Sequence, residues 1–187
     1  MSKGWIVLGV IVAIVAVMGV SGISGYNNLV TLNENVNGKW SQVENQLQRR
    51  NDLIPNLVES VKGITQQERQ IIQSVTDARA KLAGAQGPAA KAQADAELGG
   101  SLSRLLVVVE NYPDIKSSKN FQQLSDELAG TENRLAVARK DYNDSVQMYN
   151  TQIRTFPSSI YAGMLGFGQK EYFKAAEGAT ETPKVKF

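Results

Sequence analysis

The apolar residues of this chain fall into two patterns, one unbroken run near the amino terminus and a later series of stripes at helical spacing. The run covers residues 5–23 and lies within residues 4–33, a stretch without a single charged residue. A helix of that length rises about 28 Å, close to the ~30 Å thickness of the hydrocarbon core of a bilayer. The pattern therefore predicts an amino-terminal transmembrane anchor within residues 1–25.

The residues at the two ends of the run are typical of an anchor. Trp5 and Tyr26 stand where amphipathic aromatic rings favour the headgroup region, and Lys3 is placed to extend its ammonium group outward. A cleaved signal peptide is the alternative, although its apolar core is usually only about 7 to 15 residues long. Lys and Arg are nearly balanced on the two sides of the run, so the orientation in the membrane stays open.

Small residues recur inside the predicted anchor. Gly9 and Ala13 are four residues apart, and Gly19, Gly22 and Gly25 follow at steps of three. Small side chains at helical spacing allow two helix backbones to approach closely in lipid. This face is a hypothesis for self-association, set against the general abundance of Gly and Ala in spanning helices.

After Tyr26 the apolar positions recur every three or four residues, which predicts amphipathic helices. Pro55 separates the first two of them, because proline disfavours helical geometry at the residue before it and fits the first turn of a new helix. A kink in one continuous helix is the alternative at this point. The four predicted stripes cover residues 29–47, 54–82, 89–110 and 121–153.

The connections between these helices are short. Residues 84–88 carry two Gly and a Pro, residues 111–114 contain Pro113, and Ser117 or Ser118 is placed to cap the fourth helix. No segment alternates in the way of a strand. We therefore predict an all-α fold in which residues 26–155 form an antiparallel four-helix bundle, with a seven-residue rhythm in the last helix typical of a coiled coil.

Residues 156–187 form an aromatic-rich carboxyl-terminal segment. An even number of antiparallel helices returns the chain to the membrane, so this segment is predicted to be membrane-proximal. Its aromatic rings suit the headgroup region or the groove of a partner. Packing back onto the bundle as a cap is the alternative. The candidate interaction residues in this segment are Phe156, Phe167, Tyr172 and Phe173.

Composition removes many familiar chemistries. The chain has no Cys and no His, and its formal net charge is only +2. Thiolate nucleophiles, zinc fingers and imidazole bases are excluded, and the balanced charge gives no footprint for nucleic acid. We therefore expect no catalytic residues, no cofactor, no metal and no enzymatic activity.

A charged cluster follows the first stripe. Because Pro55 is predicted to start a new helix, Asp52 is expected to cap that helix. Arg49 and Arg50 then either cap the carboxyl end of the first helix or bind an acidic group of a partner.

Glu68 falls between two apolar residues of the second stripe, where a carboxylate needs a partner. Counted from the turn between the first two predicted helices, Lys39 lies at the same height on the first helix. We predict an interhelical pair between Lys39 and Glu68. A Glu at the edge of the bundle that reaches solvent is the alternative.

Several short motifs, in order and with appropriate spacing, resemble the LemA family of bacterial membrane proteins. The resemblance implies one amino-terminal membrane helix followed by a four-helix bundle, and no established enzymatic activity. This chain departs from the family pattern at Gln67, where members often carry His, and at Lys39, where a small residue is usual. The motifs are residues 26–30, 40–43, 49–58, 111–114, 142–143 and 156–158.

Together these features favour a non-enzymatic scaffold anchored in the bacterial inner membrane by a single pass. Its expected partners are the lipid bilayer, further copies of itself and other membrane proteins. An adaptor or sensor that regulates a separate membrane enzyme, such as a protease, is the alternative hypothesis. A hydrolase that uses carboxylates alone is a third hypothesis, and it has the least support from the sequence.

Overall fold

The computed structural model describes residues 3–65 and 68–174, and these residues form helices, connecting turns and an irregular segment after the last helix, without any strand. The prediction of an all-α chain is confirmed. The side chains of Lys3 and Ala13, and all of residues 175–187, lie outside the described set. The helices are α1 (Lys3–Ser60), α2 (Arg69–Gly84), α3 (Gly87–Val109), α4 (Pro113–Lys116), α5 (Lys119–Gln152) and α6 (Ser158–Leu165).

The first helix continues through Pro55, so the predicted break at residues 52–55 is wrong and the alternative of one long helix is confirmed. A proline inside a helix leaves the carbonyl four residues earlier without its N–H donor. Here that carbonyl belongs to Asn51, and the Nε–H of Arg79 donates to it at 3.0 Å. The tertiary contact replaces the missing helical hydrogen bond, and the buried residues Ile54 and Leu57 hold the helix in place.

The second predicted stripe is divided between two helices, because α1 ends at Ser60 and α2 begins at Arg69. The other predicted connections are confirmed. Gly87, the first residue of α3, adopts a positive φ of 76°, and Pro88 follows in the first turn. Ser118 caps α5, because its hydroxyl accepts the backbone N–H of Phe121 at 3.3 Å.

The chain divides into two compact units. Both α1 and α5 are divided between them, so each of these helices contributes residues to both units. The first unit comprises Met1–Lys39 and Asp144–Lys170, and the second comprises Trp40–Asn143 and Glu171–Phe187. The predicted stripes supply both cores, although Leu106 of α3 is exposed rather than inward. The buried core residues include Leu29, Val36, Val146 and Tyr149 in the first unit and Val43, Ile54, Leu98, Leu105 and Leu135 in the second.

Among the residues that the structure describes, no helix combines the length and the hydropathy needed to cross a membrane. Trp5 and Tyr26, the predicted interfacial aromatics, are both exposed. A Cβ atom at Gly9 would meet no other group within 4 Å, whereas one at Gly25 would lie 3.1 Å from the ring of Tyr161. Gly25, one of the small residues of the predicted association face, is therefore covered by the chain itself.

Candidate functional site

Two guanidinium groups and two carboxylates from α1, α3 and α5 form a closed ion cluster in the second unit. Nη1 of Arg50 lies 2.7 Å from Oδ1 of Asp95 and 2.6 Å from Oε2 of Glu132. Arg139 pairs with the other oxygen of Asp95, and its Nη1 lies 3.6 Å from Oε1 of Glu132. Each carboxylate therefore lies between two guanidinium groups.

The centre of this cluster is desolvated. The side chains of Arg50 and Asp95 are only 8% and 4% exposed. Burial raises the pKa of Asp95, and the neighbouring charges of Arg50 and Arg139 oppose that shift. Removing one member of such a set leaves an uncompensated buried charge, which typically costs about 3–5 kcal/mol. The cluster thus ties three helices together, and its carboxylates are engaged in ion pairs.

The structure changes the interpretation of residues 49–52. Arg49 is exposed, with Nη2 3.7 Å from Oε2 of Glu127. Asp52 accepts a hydrogen bond of 2.8 Å from Gln48, one turn earlier in α1. The expectations that Asp52 caps a helix and that the two arginines cap a helix end are wrong, because α1 neither starts nor ends there.

Tyr112 forms hydrogen bonds with one residue that follows α1 and one that precedes α2. Its hydroxyl donates to Oε2 of Glu68 and lies 3.2 Å from Oγ1 of Thr65. Glu68 therefore stands just before α2 and not in the middle of a helical stripe, which removes the register on which the predicted pair with Lys39 was based. The pair itself stays a prediction. Tyr112 belongs to the motif at residues 111–114, from which the sequence predicts only the end of a helix.

Two Tyr-Asn dipeptides, seven residues apart on α5, bind the chain that follows α6. In the second unit the carboxamide of Asn143 donates to the carbonyl of Phe173 and accepts its N–H, both at 2.9 Å. The hydroxyl of Tyr142 donates to the carbonyl of Glu171 at 2.7 Å. These bonds involve backbone atoms of the bound segment, so the contact resembles the pairing of a neighbouring strand.

The first unit repeats this arrangement. The carboxamide of Asn150 donates to the carbonyl of Lys170 and accepts its N–H, both at 2.9 Å. The hydroxyl of Tyr149 donates to the carbonyl of Gly168 at 3.0 Å. We call each Tyr-Asn dipeptide with its bound backbone a Tyr-Asn clamp. Neither clamp was predicted from the sequence. The signal available was the Tyr-Asn pair repeated at the seven-residue interval that keeps side chains on one helix face.

The aromatic residues of the carboxyl-terminal segment have different environments. Phe173 is buried, with its ring 6.4 Å from that of Trp40 and 5.0 Å from the guanidinium carbon of Arg139. For this residue the structure supports the capping alternative. Phe167 meets the ring of Tyr26 edge-on at 6.0 Å, Tyr172 is half-buried, and Phe156 is 82% exposed.

A groove of about 410 Å³ lies beside the ion cluster. Its lining includes Arg50, Asp95, Glu132, Arg139 and Lys174, so groups of both charges face it. Within residues 3–65 and 68–174, no three carboxylate side chains come together in a way that would hold a metal ion.

Comparison with known proteins agrees with the motifs. The model of the LemA family matches residues 39–187, and the chain belongs to that family. The resemblance inferred from the sequence is therefore confirmed. The matched region contains the ion cluster, Tyr112 and both Tyr-Asn clamps.

Named relatives are known from several bacteria. Magnetosome protein MamQ 2 of Paramagnetospirillum magneticum is 31% identical, over 86% of this chain and 68% of the relative. Magnetosome protein MamQ of Magnetospirillum gryphiswaldense is 30% identical with the same coverage. Protein LemA of Metamycoplasma hominis is 23% identical over 81% of this chain and 69% of its own length.

Proposed function

We propose that this protein is a non-enzymatic helical scaffold of the bacterial inner membrane. In this proposal residues 1–25 span the bilayer once, and an antiparallel four-helix bundle self-associates and organises the membrane or other membrane proteins. The observation that carries the proposal is the continuity of α1 from Lys3 to Ser60. The same helix contains the uncharged stretch of residues 4–33 and buried core residues as far as Leu57.

The site chemistry supports a structural role. Arg50, Asp95, Glu132 and Arg139 neutralise one another, and the Tyr-Asn clamps bind the backbone of the chain's own carboxyl-terminal segment. The MamQ relatives are named magnetosome proteins, and we infer a comparable organising function for this chain.

Two measurements on the full-length protein test the proposal. Membranes are first washed with alkaline carbonate, and we expect the protein to stay in the membrane pellet and a variant lacking residues 1–25 to be released. The mass of the protein in lipid nanodiscs is then measured, and we expect a multiple of the 20.4 kDa protomer. Release of the full chain by carbonate would overturn the anchor.

A strict monomer in nanodiscs would overturn self-association. Crosslinking in cells provides a further test, because it separates the scaffold from the adaptor hypothesis. Predominant crosslinks between copies support the scaffold. Recovery of one stoichiometric foreign protein would instead favour the adaptor.

A further inference from the structure

The short helix α6 presents opposite faces of different character within the first unit. Ser158 and Ala162, one turn apart, are buried, and Tyr161 packs against α1 at Gly25. The other face carries Ile160 and Met164, also one turn apart, which are 51% and 81% exposed.

The apolar surface of α6 continues beyond these two residues. Leu165 and the preceding Phe156 are also exposed. No charged residue occurs between Arg154 and Lys170, so a cation stands at each end of this uncharged segment. A single exposed apolar residue is ordinary on a protein surface, whereas several close together mark a contact surface.

The position of α6 along α1 indicates what the surface contacts. Tyr161 meets α1 at Gly22 and Gly25, and Phe167 meets it at Tyr26. These α1 residues lie at the carboxyl end of the apolar run, about 30 Å from Trp5 at 1.5 Å per residue. If the run spans a bilayer, α6 is therefore held at the level of the lipid headgroups.

We propose that α6 is an interfacial foot whose exposed residues Phe156, Ile160, Met164 and Leu165 enter the headgroup region of the bilayer. Arg154 and Lys170, which flank the uncharged segment that contains α6, suit anionic headgroups. We favour the lipid surface over a second protein, because α6 packs against α1 where the apolar run of residues 5–23 ends. The inference rests on the proposed anchor and adds a second membrane contact, which fixes the depth and rotation of α1.

The absence of native Cys allows a direct test in the full chain. Single variants Met164→Cys, Ile23→Cys and Glu34→Cys are spin-labelled and reconstituted in nanodiscs that contain anionic lipid. Collisions with oxygen report lipid exposure, and collisions with a water-soluble nickel complex report aqueous exposure. Ile23 and Glu34 are exposed positions of α1 within and beyond the apolar run, so they serve as matched controls.

We expect the label at Met164 to favour oxygen over nickel at least several-fold more than the label at Glu34. An aqueous label at Met164 with a lipid-exposed label at Ile23 would overturn the interfacial foot and leave the anchor intact. Aqueous labels at both positions would overturn the anchor as well. Shielding of Met164 from both reagents, with dipolar broadening between labels, would show that a second copy covers the patch and would also overturn the inference.

Discussion

Asn143 binds the backbone of Phe173 through both ends of its carboxamide, with two hydrogen bonds of 2.9 Å. A side chain on a helix thereby takes the place of a neighbouring strand for an extended segment 30 residues later. The bound residue buries its own ring beside Trp40 and Arg139. The two hydrogen bonds thus hold Phe173 against α5.

Replacing Asn143 with Ala should release this segment. Two backbone groups of Phe173 lose their partners, and we expect the unfolding free energy to fall by about 1–3 kcal/mol. The measurement is urea unfolding followed by the fluorescence of Trp40 in a Trp5→Phe background, together with amide exchange at residues 171–174. Gln147→Ala, an exposed change on the same helix, is the control. Unchanged exchange at Phe173 would contradict the clamp.

The ion cluster should be sensitive to single changes and tolerant of balanced ones. Asp95→Ala leaves Arg50 buried without full compensation, so the unfolding free energy should fall by about 3–5 kcal/mol. Adding Arg50→Met removes one positive charge as well, and most of the loss should be regained. Trp40 fluorescence in urea measures both variants.

An exposed pair supplies the control for this cluster. Glu97 pairs with Lys81 at the surface between α2 and α3, and Glu97→Gln should cause no measurable change. If Glu97→Gln lowered the unfolding free energy as much as Asp95→Ala does, burial would not explain the contribution of the Asp95 cluster to stability.

The role of Arg79 can be separated from general packing by a double-mutant cycle. Arg79→Ala should lower the unfolding free energy by about 1–2 kcal/mol, because the carbonyl of Asn51 loses its donor. Pro55→Ala restores a backbone N–H that reaches the same carbonyl. The loss from Arg79→Ala should therefore be smaller in the Pro55→Ala background. Equal losses in both backgrounds would refute the proposed compensation.

Tyr142 should make the protein sensitive to alkali. Burial, followed by the nearby charge of Glu171, raises the pKa of its hydroxyl to about 12 in the folded chain. An unfolded tyrosine ionises near 10, so the unfolded state loses its proton first as the pH rises. Stability is unaffected below about pH 10 and decreases between about 10 and 12, by on the order of 2 kcal/mol.

Titration of phenolate absorbance gives the measurement for Tyr142. The difference between the native chain and Tyr142→Phe should show one group that ionises near pH 12. The alkaline loss of stability should be smaller in that variant. A difference curve centred near 10 would show that the hydroxyl is not shielded in the folded state.

Local patterns predicted the helices and most of their buried faces. Leu29, Val43, Leu98 and Leu135 lie in the apolar stripes that the spacing predicts, and each is buried. This works because a helix repeats its faces every 3.6 residues, whatever the rest of the chain does. Ser118 could also be identified, since a cap needs only a hydroxyl and the N–H three residues later.

The failures concern contacts between distant residues. Pro55 is a helix breaker by local rules, and only Arg79, 28 residues from Asn51, explains why the helix continues. The local pattern placed Glu68 inside a helical stripe, whereas it lies just before α2, where the hydroxyl of Tyr112 donates to it from the connection after α3. Sequence distance hides such partners, because they meet only after the helices have packed.

The sequence by itself determined the helical class, the family, the uncharged amino-terminal stretch and the faces that become buried, since each depends on neighbours within a few residues. Tertiary structure alone decided which charges meet Asp95 and which carbonyls Asn143 and Asn150 bind. The physical reason is that a buried polar group must find a partner wherever one is available. That choice is made by the packing of whole helices and not by the local chain.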